Sequence, residues 1–111
     1  PVASLNVEEV RQIFLGRMRL FPATQKNIDP VDQDASLPTR KHFYHIIAKL
    51  NPAALERLRA MYLFSGKGLI PKTMPDDAAV MDFIAKHPES IGYVKAESVT
   101  SKVRQVLLIR E

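Results

Sequence analysis

Cysteine is absent from the 111 residues, which excludes disulfides, thiolate zinc sites and cysteine nucleophiles. Long apolar runs are absent too: no stretch of about 18 apolar residues occurs, so no segment is read as a membrane span. Internal repeats, low-complexity tracts and linkers are also missing, and a chain of this length is expected to form one domain over residues 1–111. Blocks of one charge are missing as well. The 16 Lys and Arg exceed the 12 Asp and Glu to give a net charge of +4, yet they are scattered from Arg11 to Arg110. No basic run is longer than Arg40-Lys41. A nucleic-acid-binding face concentrates its cations, often beside stacking aromatics, so nucleic acid is not an expected partner. The excess still favours anions in general. The chain opens on Pro1 rather than Met, as expected of a segment that starts either after processing or at an imposed boundary, so any signal peptide would lie before it.

Helix signals dominate what is present. Asn6 stands where an N-cap is expected, Glu9 completes a capping box, and Leu5 and Val10 form a hydrophobic staple around it. Val7, Val10, Ile13 and Phe14 follow as one apolar face, and Gly16 is set to close the helix in the left-handed region. After a loop through Arg19, Phe21 and Pro22, the alternation from Lys26 to Asp32 predicts a short strand. Pro30 has no N–H for a ladder, which confines that strand to an edge or interrupts it. Ser36 is expected to cap a second helix, with Pro38 in its first turn and Phe43, Ile46, Ile47 and Leu50 as its buried stripe. Asn51-Pro52 ends that helix and starts a third, with Leu55, Leu58, Met61 and Tyr62 inward. Ser65-Gly66-Lys67-Gly68 breaks the third helix, and Pro71 and Pro75 argue against regular structure after it. A fourth helix is expected from about Asp76 to Lys86, acidic in its first turn, with Val80, Phe83 and Ile84 toward the core and His87-Pro88 at its end. Ile91 to Val94 and Val103 to Ile109 read as short strands, and one more strand before residue 5 is open. Four helices interleaved with about three strands predict an α/β layer.

Most chemical constellations fail on inspection. Gly66-Lys67-Gly68 is not a P-loop: position 61 is Met where the first glycine belongs, and position 68 is Gly where Ser or Thr belongs. His42 and His45 are three apart on a helix, but no third ligand lies near and Lys41 repels a cation, so no metal site is expected. Asp32 and Asp34 read as solvated or capping carboxylates before a helix rather than an acid–base pair. No serine sits in a nucleophile turn, so no catalytic residue is assigned and no enzyme activity or cofactor is expected. The best site candidate is the start of the second helix. Ser36, Thr39 and Arg40, beside Lys41, could supply hydroxyls and a guanidinium to an oxyanion at a helix N-terminus. The structural alternative is that Ser36 is only a cap and Arg40 only a solvated side chain.

Three segments, in order along the chain, carry a family resemblance. Leu5 through Arg17 fits Leu-x-x-x-x-(Val/Leu)-x-x-Ile-Phe-x-Gly-(Lys/Arg); Phe64-Ser65-Gly66-Lys67-Gly68 is similar to a Gly-Lys-Gly segment; and His87-Pro88-Glu89-Ser90-Ile91-Gly92-Tyr93-Val94 is similar to Pro-Gly-Ala-Ile-Gly-Tyr-Val. Together these resemble the phosphate-type substrate-binding proteins of ABC transporters. The resemblance implies a single domain equivalent to the second lobe of the periplasmic-binding-protein-like (type II) fold, about four helices packed on a small mixed sheet. It also implies a short single-lobe relative and a periplasmic location. The family's anion motif, Arg-x-x-Gly-Ser-Gly-Thr, aligns with Asp32 through Thr39. Ser36 matches its serine, Thr39 matches its threonine only with a shift, Asp32 stands at the arginine position, and both glycines are gone.

Two functions follow. One is a solute-binding-like domain that holds phosphate or another oxyanion weakly at Ser36, Thr39 and Arg40; Arg40→Ala is then expected to abolish binding with little loss of stability. The other is an interaction module that has lost its ligand, contacting a membrane transporter or sensor protein, or a second copy in a homodimer, through an apolar rim near Phe21.

Overall fold

The computed structural model describes residues 5–21, 24–65, 71–101 and 103. The first helix, α1 (Val7–Phe14), forms as its capping chemistry predicts. Asn6 accepts the Glu9 N–H at 2.7 Å and donates its own N–H to the Glu9 carboxylate at 3.0 Å. Leu5 and Val10 are both buried across the cap, and Gly16 closes the helix with φ 83°. Val10, Ile13 and Phe14 reach the core, whereas Val7 is exposed.

The strand expected from Lys26 is β1 (Asp29–Gln33), preceded by an isolated antiparallel bridge between Leu20 and Asn27. It is the central strand, not an edge. The three described strands lie in the order β2-β1-β3, with β2 (Lys72–Met74) and β3 (Ser90–Ile91) each parallel to β1. Pro30 fits because of ladder parity. Asp29 donates to the Glu89 carbonyl on the β3 side at 2.9 Å, so the missing N–H of Pro30 falls on the β2 side. Pairing with β2 begins only at Val31–Lys72. The stretch bounded by Pro71 and Pro75 does hold regular structure, since three residues between the prolines suffice for β2. The strand read over Ile91–Val94 is shorter and starts one residue earlier. The strand read over Val103–Ile109, apart from Val103 itself, the one before residue 5 and the Gly66-Lys67-Gly68 turn lie outside the described residues.

Three more helices cover the sheet: α2 (Pro38–Ala48), α3 (Pro52–Phe64) and α4 (Asp77–Lys86), followed by a 3₁₀ turn at Ala96–Ser98. Asn51 caps α3 through the Ala54 N–H at 2.8 Å, and Asp76 caps α4 through the Ala79 N–H at 2.8 Å. Ser36 does not cap α2. Leu37 holds the cap position without a side-chain bond, and Ser36 gives both its N–H and its hydroxyl to the Asp34 carboxylate two residues back. His87 ends α4 with its ring Nδ1 at 2.7 Å from the Phe83 carbonyl. Met61, expected inward on α3, is exposed, and Arg59 is buried instead. On α4, Val80 and Met81 are buried while Phe83 and Ile84 are half-buried.

The main core joins Phe14 of α1, Phe43, Tyr44 and Ile47 of α2, Leu55 of α3, and Ile91 and Tyr93. Phe43 and Tyr93 stack with centroids 3.9 Å apart, and Phe14 meets Phe43 edge-on at 5.0 Å. On the other side of the sheet α4 packs so closely that a Cβ on Gly92 would stand 2.7 Å from Val80 Cγ1. Successive β1 side chains point to opposite faces. Asp32 therefore meets α2 and α3, and Gln33 meets α4.

Candidate functional site

Asp32, read from the sequence as a solvated or capping carboxylate, is completely buried. Its Oδ2 accepts from the Tyr44 hydroxyl at 2.7 Å and from Arg59 Nη2 at 3.0 Å, and Arg40 Nη1 lies 3.8 Å away. Its Oδ1 accepts the Gln33 N–H at 2.9 Å and the Tyr93 hydroxyl. Five groups from β1, α2, α3 and the segment after β3 thus converge on one carboxylate, which satisfies a charge that burial alone would make untenable. Burial, followed by the nearby Asp32 charge, raises the pKa of Tyr44 well above its ordinary value and raises that of Tyr93 as well. Burial works against the charge on Arg59, but Tyr44 and Asp32 outweigh it and the pKa is raised.

Beside this network, at the carboxyl end of β1, lies a hollow of about 460 Å³ lined by Asp34, Ala35, Arg40, Glu56, Arg59 and Thr73, with Ala60 and Leu63 as its apolar wall. That end of the strands is where open parallel α/β sheets take their ligands. Arg40 is nine-tenths buried, not a solvated side chain. Its Nη1 donates to the Gln33 carbonyl at 3.1 Å and its Nη2 to Glu56 at 3.3 Å. Ser36 and Thr39 adjoin Arg40 in sequence but do not line the hollow. Ser36 is exposed, and its Asp34 partner carries a lowered pKa, first through the Ser36 hydroxyl and then through the Ser36 N–H. The free N–H cradle expected here is partly spent: the Arg40 N–H bonds back to the Leu37 carbonyl. Of the three sequence-predicted residues, only Arg40 reaches the hollow.

Sequence reasoning missed Arg59, Glu56 and Thr73. Arg59 carried a usable signal, because it stands four residues after Leu55, so the helical period that buries one buries the other. On the far side of β1, Gln33 Nε2 donates to Asp77 at 2.8 Å, and Asp77 also accepts from the Lys95 N–H at 3.1 Å and the Ser98 hydroxyl at 2.7 Å. Phe21, expected on an exposed rim, is buried in the core. His42 and His45 are exposed on α2, and no group of three or more metal-ligating side chains occurs among the described residues. No helix among them is long and apolar enough to cross a membrane.

No family model matches the sequence, and no curated relative matches it. Among solved structures, a protein from Clostridium perfringens described as a phosphate ABC transporter substrate-binding protein with bound phosphate is similar, with a TM-score of 0.76 at 16% identity. The match covers 96% of this chain and 40% of that one, so this chain spans less than half the length of its structural neighbour. The likeness shows the fold: among the described residues, four helices on a small sheet whose strands are all parallel rather than mixed, arranged as in part of that binding protein.

Proposed function

We propose that this chain is a solute-binding-type domain that takes phosphate or a related oxyanion weakly at the carboxyl end of β1. One observation carries the reading: Arg40, a nearly buried guanidinium, faces a hollow at the junction of β1 and α2. A fixed guanidinium in low-dielectric surroundings binds an oxyanion more strongly than a solvated one. The bound phosphate of the structural neighbour lends support by analogy of fold. Weak affinity follows from the local charges, because Asp34 and Glu56 line the same hollow. On this reading the domain works in the periplasm alongside a membrane transporter.

Calorimetric titration with phosphate at low ionic strength, with sulfate as the comparison, tests the proposal. Saturable binding with a Kd of about 1 mM or tighter supports it, as does a rise in melting temperature with phosphate concentration. No heat at about 10 mM phosphate contradicts it. Arg40→Ala is a poorer probe than the sequence suggested, since it strips a bond from the Gln33 carbonyl and a cation from near Asp32. Arg40→Lys keeps the charge and loses the forked geometry, and it should weaken binding with less damage to the fold.

A second reading rests on the end of α3, where Met61, Leu63 and Phe64 are 58%, 56% and 93% exposed. Such a patch suits contact with a sensor or transporter protein, or with a second copy of the chain. Light scattering on the wild type and on Phe64→Ser tests the homodimer form: a dimer that Phe64→Ser turns into a monomer supports it, and a wild-type monomer at high concentration contradicts it.

A further inference from the structure

We infer that Glu56 is a built-in competitor for the anion in this hollow, and that Arg59 is the second guanidinium the anion meets once Glu56 swings away. The inference rests on the oxyanion reading above and concerns how that site is regulated. Arg40 has two working edges. Nη1 is committed to the fold through the Gln33 carbonyl and the nearby Asp32, whereas Nη2 is held by Glu56 at 3.3 Å, its one partner among the described residues. The two partners are unequal, for the Arg40 side chain is 11% exposed and that of Glu56 is 69% exposed. A fixed cation paired with a solvated, mobile carboxylate is a weak pair that a second anion can replace. Glu56 therefore occupies the one edge of Arg40 that the core does not use.

Arg59 lies three residues after Glu56 on the same face of α3, and both line the hollow. Its Nη2 is spent inward, on the Phe14 carbonyl at 3.3 Å, on Asp32 at 3.0 Å and on the Tyr44 hydroxyl. Its Nε is buried and has no hydrogen-bond partner among the described residues. A buried donor without an acceptor is a penalty that folded proteins rarely keep. Here it persists in a side chain that lines the same hollow as Glu56. The local charge count points the same way. Two guanidinium groups, Arg40 and Arg59, line the hollow with two carboxylates, Asp34 and Glu56, while the buried Asp32 behind it draws on both cations, so the set as a whole is one negative charge in excess until Glu56 leaves or is neutralised.

Inorganic phosphate is the probe, read by proton–nitrogen spectra of the arginine Nε–H groups in wild type and in Glu56→Gln, which removes one exposed charge and should fold normally. The expected result is a saturable shift of the Arg59 Nε–H signal in the wild type, with phosphate affinity about two- to fivefold tighter in Glu56→Gln. If phosphate binds but the Arg59 signal stays still and Glu56→Gln leaves the affinity unchanged, this inference is overturned while the oxyanion reading stands. If neither protein responds to phosphate, both are overturned.

Discussion

Arg59 Nη2 sits 3.0 Å from Asp32 Oδ2, an ion pair between one side chain that is nine-tenths buried and another that is wholly buried. The pair ties α3 to the central strand. With Tyr44, Tyr93 and Arg40 gathered on the same carboxylate, it makes a polar knot behind the hollow, and Arg40 and Arg59 reach from that knot to the hollow's lining.

Asp32→Asn should therefore be far more damaging than any change at the rim. It leaves Arg59 and Arg40 without their buried counter-charge, and loss of one partner of such a pair costs about 3–5 kcal/mol. A small domain has only about 5–15 kcal/mol in total. Glu56→Gln, which removes the exposed partner of Arg40, should cost less than about 1 kcal/mol. Urea unfolding of the two variants compares them directly, and equal losses would show that Asp32 does not organise the core.

The two tyrosines on Asp32 give the domain a limit at alkaline pH. Their folded pKa values are raised, so the folded state holds these protons more tightly than the unfolded state does. The associated stability is complete below the ordinary tyrosine value of 10.0 and is lost as pH rises beyond it, because unfolded tyrosines ionise first. Each contributes a loss of about 1.4 kcal/mol per pH unit there. Denaturation midpoints from pH 9 to 11 should fall less steeply in Tyr93→Phe than in wild type, and identical slopes would contradict the assignment.

Gly92→Ala tests the second face of the sheet. The added methyl would meet Val80 Cγ1 at 2.7 Å and Ile84 Cδ1 at 3.0 Å, and a β-branched valine has little freedom to retreat. Overpacking of this kind costs about 1–3 kcal/mol. Thermal unfolding of Gly92→Ala alone and with Val80→Ala reads it, the second change being expected to recover part of the loss. An unaltered melting temperature in Gly92→Ala would mean that α4 is not held against the strand.

Helix starts were legible because their chemistry is local. Asn6 with Glu9 and Asn51 with Pro52 each act within a few residues and form the expected cap bonds, while Asp76, expected inside the first turn of α4, caps it instead. Ser36 misled because a carboxylate two residues away, Asp34, is a stronger acceptor for its hydroxyl than the helix N-terminus is a donor to it. Strands were legible only in part, since β2 exists through its register with β1 and nothing between Pro71 and Pro75 signals a partner at Val31. The buried knot was the least legible. Arg59 and Tyr93 lie 27 and 61 residues from Asp32, and no spacing in the chain links them. The family resemblance pointed to Asp32 as a departure from an anion motif. In the structure that carboxylate meets Arg59, a cation supplied from α3.

The central claim is that an oxyanion binds where β1 gives way to α2. A backbone proton–nitrogen titration of the uniformly labelled protein with phosphate tests it most directly, because it reports both binding and place. The account predicts saturable shifts confined to the amides around the hollow, those of Asp34 to Lys41, Glu56 to Leu63 and Thr73 with their neighbours, with an apparent Kd near 1 mM, about −4 kcal/mol. Saturable shifts elsewhere on the domain, or none at about 20 mM phosphate, would contradict it.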